Sequence, residues 1–335
     1  MQFRVFLIFF VGMIIHYLRL VRWQNLLFLC ILLWVLQAWV ALPVMQGYAD
    51  IPEAATLPWW LFALITSAVV CIAAGGYVIN DYFDVKIDRI NRPDRLIVTQ
   101  SVEKLTAMRL FQVLTAVGVA IGLVSAWLCR SRAMTMVFLL TPGLLWFYSA
   151  SYKRMLIIGN LIIAFCTTLV PLMIAMADIG YARVHTADSD IRISILAYLL
   201  YRWLGGFALF AFLTTWIREI IKDMQDQTGD RELECHTLPI VIGNTWTKVI
   251  VTGLIAVMTG LMVWLWWSVL PFDRSFSCLS TRYLLFGILV PLLCEVALLW
   301  SARIPSDYRT AQQLMKFIMF IGSLYSFCIT RLLTA

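Results

Sequence analysis

Residues 57–95 read LPWWLFALITSAVVCIAAGGYVINDYFDVKIDRINRPDR. The first part, 57–79, has no charged residue, and about 20 apolar residues suffice to cross the hydrocarbon core of a bilayer. The sixteen residues that follow, 80–95, hold four aspartates, two asparagines and four basic residues. An apolar span therefore runs straight into a dense polar segment. Either that segment is a salt-bridged surface loop, or it is a site for a charged ligand at the membrane edge.

The rest of the chain settles the solvent. Of 335 residues 62% are apolar and only 13% charged, with a mean hydropathy of +0.86. A soluble domain carries about a quarter charged residues. The net charge of +7 does not point to nucleic acid, because the basic residues are scattered between apolar spans and read as topology determinants. The eight cysteines stand singly with no CxxC pair, as free buried thiols would. Three histidines, His16, His185 and His236, are too few for a histidine-rich metal site.

Nine spans are predicted, over about 24–45, 57–79, 103–128, 134–151, 156–177, 194–217, 246–270, 283–302 and 311–333. The fold class is thus an all-α membrane protein of nine transmembrane helices. Residues 18–335 are expected to form one domain, preceded by an apolar N-terminal extension over 1–17 that lacks a small-residue cleavage site. Alternating spans divide Lys and Arg eighteen to eight. The richer side is the cytoplasmic one and includes residues 80–95. Trp59, Trp60, Trp266 and Trp267 fall near span ends, where an interfacial belt would sit.

A second polar cluster, REIIKDMQDQTGDRE at 218–232, follows the sixth span on the same predicted side. The four-span interval suggests an internal repeat, with equivalent segments facing a central cavity. If the second span continues as helix, Asn80, Asp84 and Asp88 recur every four residues and share one stripe. Asp223, Asp226 and Asp230 make a comparable stripe, with Gly229 expected to loosen the helix. Carboxylates on one face repel each other, and more strongly at a membrane boundary, where the dielectric is lower. Hard oxygen ligands in this pattern suit Mg²⁺, which keeps waters and is shared between a few carboxylates and substrate phosphates. Arg92, Arg95 and Lys153 could then hold phosphate oxygens. A transporter would instead carry its carboxylates near mid-bilayer, whereas these gather at span ends.

NDYFDVKIDRINRPDR resembles the NDxxDxxxD motif of the UbiA superfamily of intramembrane prenyltransferases. KDMQDQTGD followed by HTLPIVIG resembles that family's second aspartate motif and its TLP segment. YSASYKR (148–154) with Gly159 and Asn160 is similar to its tyrosine–lysine motif, and Arg22 and Asn25 in LVRWQN to the start of its first helix. The resemblance covers about residues 20 to 245. It implies a helical barrel around a central cavity, in which a polyprenyl diphosphate bound through Mg²⁺ gives its prenyl group to a lipid-soluble or amphipathic acceptor. By the same resemblance, Asn80, Asp84 and Asp88 would bind metal and diphosphate, and Asp223 and Asp226 would bind a second metal or position the acceptor, with Asp230 close by. Lys153, Arg92 and Arg95 would hold diphosphate, Tyr148 would lie near the reacting carbon, and Asn25 would line the polar end of the cavity. Residues 79–95 look most like the branch that makes digeranylgeranylglyceryl phosphate. The alternative is a quinone-pathway member acting on 4-hydroxybenzoate or dihydroxynaphthoate. The chain departs from both in LIVTQS after Arg95 and in Cys235–His236 before TLP, which leaves the acceptor open. An inner-membrane enzyme with its site loops in the cytoplasm is expected.

Overall fold

A computed structural model describes residues 12–186, 190–268, 275 and 278–333, apart from the side chains of Tyr48, Arg95, Asp190 and Leu332. Among the described residues, nine helices are long and apolar enough to cross a membrane, as the sequence predicts. Residues 12–20 are helical, 12–17 of them in the expected extension, and residues 1–11 lie outside the described residues. Arg22, in the left-handed region (φ 52), separates this helix from the next. By contacts the chain forms two compact units. One comprises the chain up to Ile31 with Pro58–Lys153; the other comprises Leu32–Leu57 with the chain from Arg154 onward.

Helix α1 (Trp23–Leu36) passes into π-helical turns at Gln37–Ala41 and Val44–Tyr48. Pro43 lies between these turns and cannot donate to the carbonyl four residues back. That carbonyl, on Trp39, accepts instead from the Thr330 hydroxyl. In a bilayer such a group has no water to turn to, so the side chain takes water's place.

In the first unit, α2 (Trp59–Asn91) pairs with α3 (Lys104–Leu128), and α4 (Arg132–Ala150) packs on both. The 33 residues of α2 reach about 50 Å at 1.5 Å per residue, well beyond a hydrocarbon core of about 30 Å. The helix therefore carries its polar C-terminal part out of the apolar layer without a break. Ser131 caps α4 by accepting from the Met134 amide at 3.4 Å. Phe83 and Phe111 both pack against Trp146, with ring centroids 5.5 and 5.4 Å away, and tie α2, α3 and α4 together.

In the second unit, α5 (Ile158–His185) pairs with α6 (Asp190–Glu232), and α7 (Leu238–Ser268), α8 (Leu279–Ser301) and α9 (Pro305–Leu324) complete the bundle. Ile217, Ile220, Ile221 and Met224 on α6 enter a core with Val251, Ile255, Met315 and Ile318. Helices α9 and α6 meet closely at Gly322, where a Cβ would lie 2.2 Å from the Phe210 ring. Only glycine lets the two helices meet there, as small residues do at membrane helix contacts.

Two sequence expectations change. Gly229 does not loosen α6, which runs on to Glu232 and gives way at Glu234 (φ 55). The break instead falls within α7, at Gly243 (φ 80). Of the eight cysteines, all free, only Cys129, Cys235 and Cys328 are buried, and Cys294 is exposed.

Candidate functional site

The polar segment 80–91 is the C-terminal end of α2, so its residues do recur on a helix. Asn80 and Asp84 are both buried, and the Asn80 amide donates to Asp84 Oδ2 at 2.7 Å. Lys153, in the 3₁₀ turn Tyr152–Arg154 after α4, forms an ion pair with Asp84 Oδ1. One turn before Asp84 on the adjoining face, Asp81 Oδ1 accepts from Arg22 Nη2 at 2.7 Å. The Arg22 guanidinium also lies 5.0 Å from the Tyr77 ring centroid. Burial opposes the charge on Arg22, but Asp81, Tyr77 and Asp88 outweigh it and raise its pKa. Lys104 lies over the Tyr82 ring at 4.6 Å. Asp88 and Arg92 are half-buried, and Arg92 closes the helix, its N–H bonded to the Asp88 carbonyl at 2.8 Å.

The second unit holds the other acid cluster. Asn160, buried in the first turn of α5, donates to Asp223 Oδ2 on α6 at 2.8 Å. Glu219, one turn earlier on α6, is buried in an ion pair with Arg218 and lies 3.9 Å from Lys222. Asp226 is half-buried and Asp230 buried. Gln225 Oε1 accepts from Gln312 Nε2 of α9 at 2.7 Å, and Gln227 Nε2 donates to Asn244 Oδ1 of α7. After the cluster, the His236 N–H bonds to the Arg154 carbonyl at 2.9 Å, fastening the turn before α7.

Asp88 and Asp230 fall in the last turns of their helices, where the negative end of the macrodipole disfavours a carboxylate. Acids kept in such positions call for positive charge. Among the described residues, no three His, Cys, Asp or Glu side chains converge on a metal-sized space. Magnesium does not need that many, since one or two carboxylates with substrate phosphates suffice. A carboxylate steadied by a neighbouring amide, as Asp84 and Asp223 are, is a hard-oxygen donor set of that kind. The side chains present fit the ion.

The family model described as the UbiA prenyltransferase family matches residues 40–324. The chain belongs to this family. A curated relative, the digeranylgeranylglyceryl phosphate synthase of Ignicoccus hospitalis, is 31% identical to this UbiA chain over 241 residues. The alignment covers 69% of this chain and 66% of the relative, just under two thirds of the relative's length. A solved structure concerning digeranylgeranylglyceryl phosphate synthase in membranes superposes with a TM-score of 0.55 at 21% identity, covering 95% of this chain and 98% of that one. A UbiA homolog from Archaeoglobus fulgidus, solved bound to GPP and Mg²⁺, gives 0.52 at 16% identity, covering 94% and 99%.

Within the UbiA chain, the residues expected from the sequence fall as follows. Asn80, Asp84 and Lys153 come together in the first unit, and Asp88 and Arg92 lie further along the same helix end. Tyr148 is buried on α4, five residues before Lys153. Asn25 is half-buried in the first turn of α1. The Arg95 side chain lies outside the described residues. Asp223, Asp226 and Asp230 share the end of α6. Sequence reasoning assigned no role to Asn160 or Arg22, the partners of Asp223 and Asp81. Their place in the motifs was the only signal available, because 63 and 59 residues separate each from its partner.

Proposed function

We propose that this UbiA-family chain is a Mg²⁺-dependent prenyltransferase that moves a geranylgeranyl group from its diphosphate to the hydroxyl of a glycerol ether phosphate. The observation that carries the reading is the Asn80–Asp84–Lys153 group, in which an amide, a carboxylate and an ammonium meet at the end of a membrane helix. The relative from Ignicoccus hospitalis, named for a product of this kind, supports the choice of acceptor. The fold relative bound to GPP and Mg²⁺ supports the donor and the ion.

In the reaction the allylic C1–O bond breaks and its electron pair leaves with the diphosphate. The acceptor oxygen bonds to C1, and the hydroxyl proton is lost. Asn80, Asp84 and Asp88 would hold one metal with the diphosphate, and Asp223 and Asp226 a second metal or the acceptor, with Asp230 close by and Asn25 at the polar end. Bound Mg²⁺ supplies positive charge against which the diphosphate leaves. Lys153, Arg92 and Arg95 hold phosphate oxygens, where preorganised cations stabilise charge that grows in the transition state. Tyr148 lies beside the reacting carbon, and apolar helix walls exclude water that would quench it. The enzyme works in the inner membrane with residues 80–95 and 218–232 on the cytoplasmic side.

The test is an acceptor panel with radiolabelled geranylgeranyl diphosphate and the purified chain in lipid. Lipid-soluble product is expected with the glycerol ether phosphate, absent in EDTA and restored by Mg²⁺. Product only with 4-hydroxybenzoate or dihydroxynaphthoate would move the enzyme to quinone synthesis. Unchanged turnover in both Asp84→Ala and Asp226→Ala would dismiss the metal assignment.

A further inference from the structure

The segment 96–103, between the 3₁₀ turn Pro93–Arg95 and α3, is folded down onto the first unit. Leu96, Val98 and Val102 are buried in one apolar cluster with Val78 and Val85 of α2, Ala107 of α3, and Leu20 at the end of the helix over 12–20. Tyr17 and Val21 pack against the same cluster. The backbone of the segment closes on itself. The Ser101 and Val102 N–H groups both bond to the Ile97 carbonyl, at 2.9 and 3.0 Å, and the Thr99 N–H bonds to the Val102 carbonyl at 2.8 Å. Thr99 stands in the left-handed region (φ 83), which disfavours a β-branched residue and persists where the surroundings over-determine it. Just past the N-terminal helix, Arg22 is tied to Asp81 of α2 at 2.7 Å.

We infer that the helix over 12–20 is a clamp: Leu20, with Tyr17 and Val21, holds the segment 96–102 in place before substrate arrives and so fixes the turn that carries Arg92 and Arg95. The inference rests on the proposed prenyl diphosphate chemistry, in which those arginines hold phosphate oxygens, and gives the N-terminal helix a part in it. Leu96 lies four positions after Arg92, so anchoring it leaves the turn between them little freedom. Fixing a backbone costs conformational entropy at each residue. Here apolar burial meets that cost in the free enzyme, and diphosphate binding is spared it, which is preorganisation. The gain is equal in the bound ground state and in the transition state, so it shows in KM and not in kcat. Leu20 acts through the segment and is a positioning residue.

The first measurement follows deuterium uptake of residues 96–102 in the full-length chain in detergent, with and without geranylgeranyl diphosphate and Mg²⁺. Slow exchange is expected in both, and fast exchange without the diphosphate overturns the inference. The second is steady-state prenyl transfer in lipid. Leu20→Ala should raise the KM for geranylgeranyl diphosphate about fivefold or more and leave kcat within about twofold. Leu20→Met, which nearly conserves volume, should behave as wild type. Val98→Ala, on the loop side of the cluster, should act as Leu20→Ala does and replaces it if that chain fails to fold. In a chain that also carries Arg92→Gln and Arg95→Gln, Leu20→Ala should change KM by less than about twofold, because the cations it positions are gone. An equal rise in KM with and without the two arginines would mean that the fold is loosened at large, and the clamp would be dismissed. A fall in kcat at unchanged KM would dismiss it too. If the wild-type chain transfers no geranylgeranyl group to any acceptor, the proposed function fails, whereas fast exchange in an active enzyme defeats this inference alone. The deuterium measurement decides the question even if every variant misfolds.

Discussion

Replacing Asn160 by leucine keeps nearly the same shape in the first turn of α5 but removes the amide that donates to Asp223 at 2.8 Å. Asn160 is buried, so water does not readily take over that bond. A hydrogen bond to a charged group is worth about 1.5–3 kcal/mol. Loss of a group that orients a metal-binding carboxylate costs about 10–100-fold in metal affinity. The two ranges agree, since about 1.4 kcal/mol corresponds to tenfold. The assay is a Mg²⁺ titration of prenyl transfer in lipid, with thermal unfolding in detergent as the folding control. The half-activating Mg²⁺ concentration of Asn160→Leu should rise about tenfold or more, and much of the rate should return at saturating Mg²⁺. A folded Asn160→Leu enzyme that responds to Mg²⁺ as wild type does would refute the idea that this bond orients Asp223 for a metal.

Two further outcomes concern stability. Gly322→Ala places a methyl 2.2 Å from the Phe210 ring, so it should lower the unfolding free energy by about 1–3 kcal/mol in detergent. Phe210→Leu should recover part of that loss, and strictly additive effects would deny the contact. Asp178 is fully buried in α5 and accepts from Gln37 Nε2 at 3.2 Å, while Gln37 Oε1 and Asp178 Oδ2 have no hydrogen-bond partner among the described residues. Asp178→Asn supplies a donor for the Gln37 oxygen and should stabilise the bundle by about 1 kcal/mol, whereas Gln37→Leu should destabilise it. A lower unfolding temperature for Asp178→Asn would show that the carboxylate itself is needed there.

Much of the helical architecture was legible because its signals are local. The uncharged run at 57–79 marks a span by length alone, and the four-residue recurrence of Asn80, Asp84 and Asp88 survives because α2 does continue to Asn91. Gly229 misled for the same reason that locality helps elsewhere. Its weak helix propensity is a small effect, and α6 runs on through that turn with Gly229 buried and its carbonyl accepting from the Leu233 N–H at 3.1 Å. The second buried acid, Asp178, was passed over inside an apolar run. Nothing near it in the chain indicates that Gln37, 141 residues away, supplies its hydrogen bond.

The sequence by itself determined the solvent, the number of spans and the two acid stripes. These depend on residue type and spacing along one helix, and a helix of known pitch converts spacing into direction. Only the tertiary structure decided which charges meet. Lys153 on Asp84, Arg22 on Asp81 and Asn160 on Asp223 each join residues from different helices or turns. In a low-dielectric interior a few ångströms separate a carboxylate paired with an ammonium from one held by a neutral amide. That difference, between Asp84 with its lysine and Asp223 with its amide, cannot be computed from spacing along the chain.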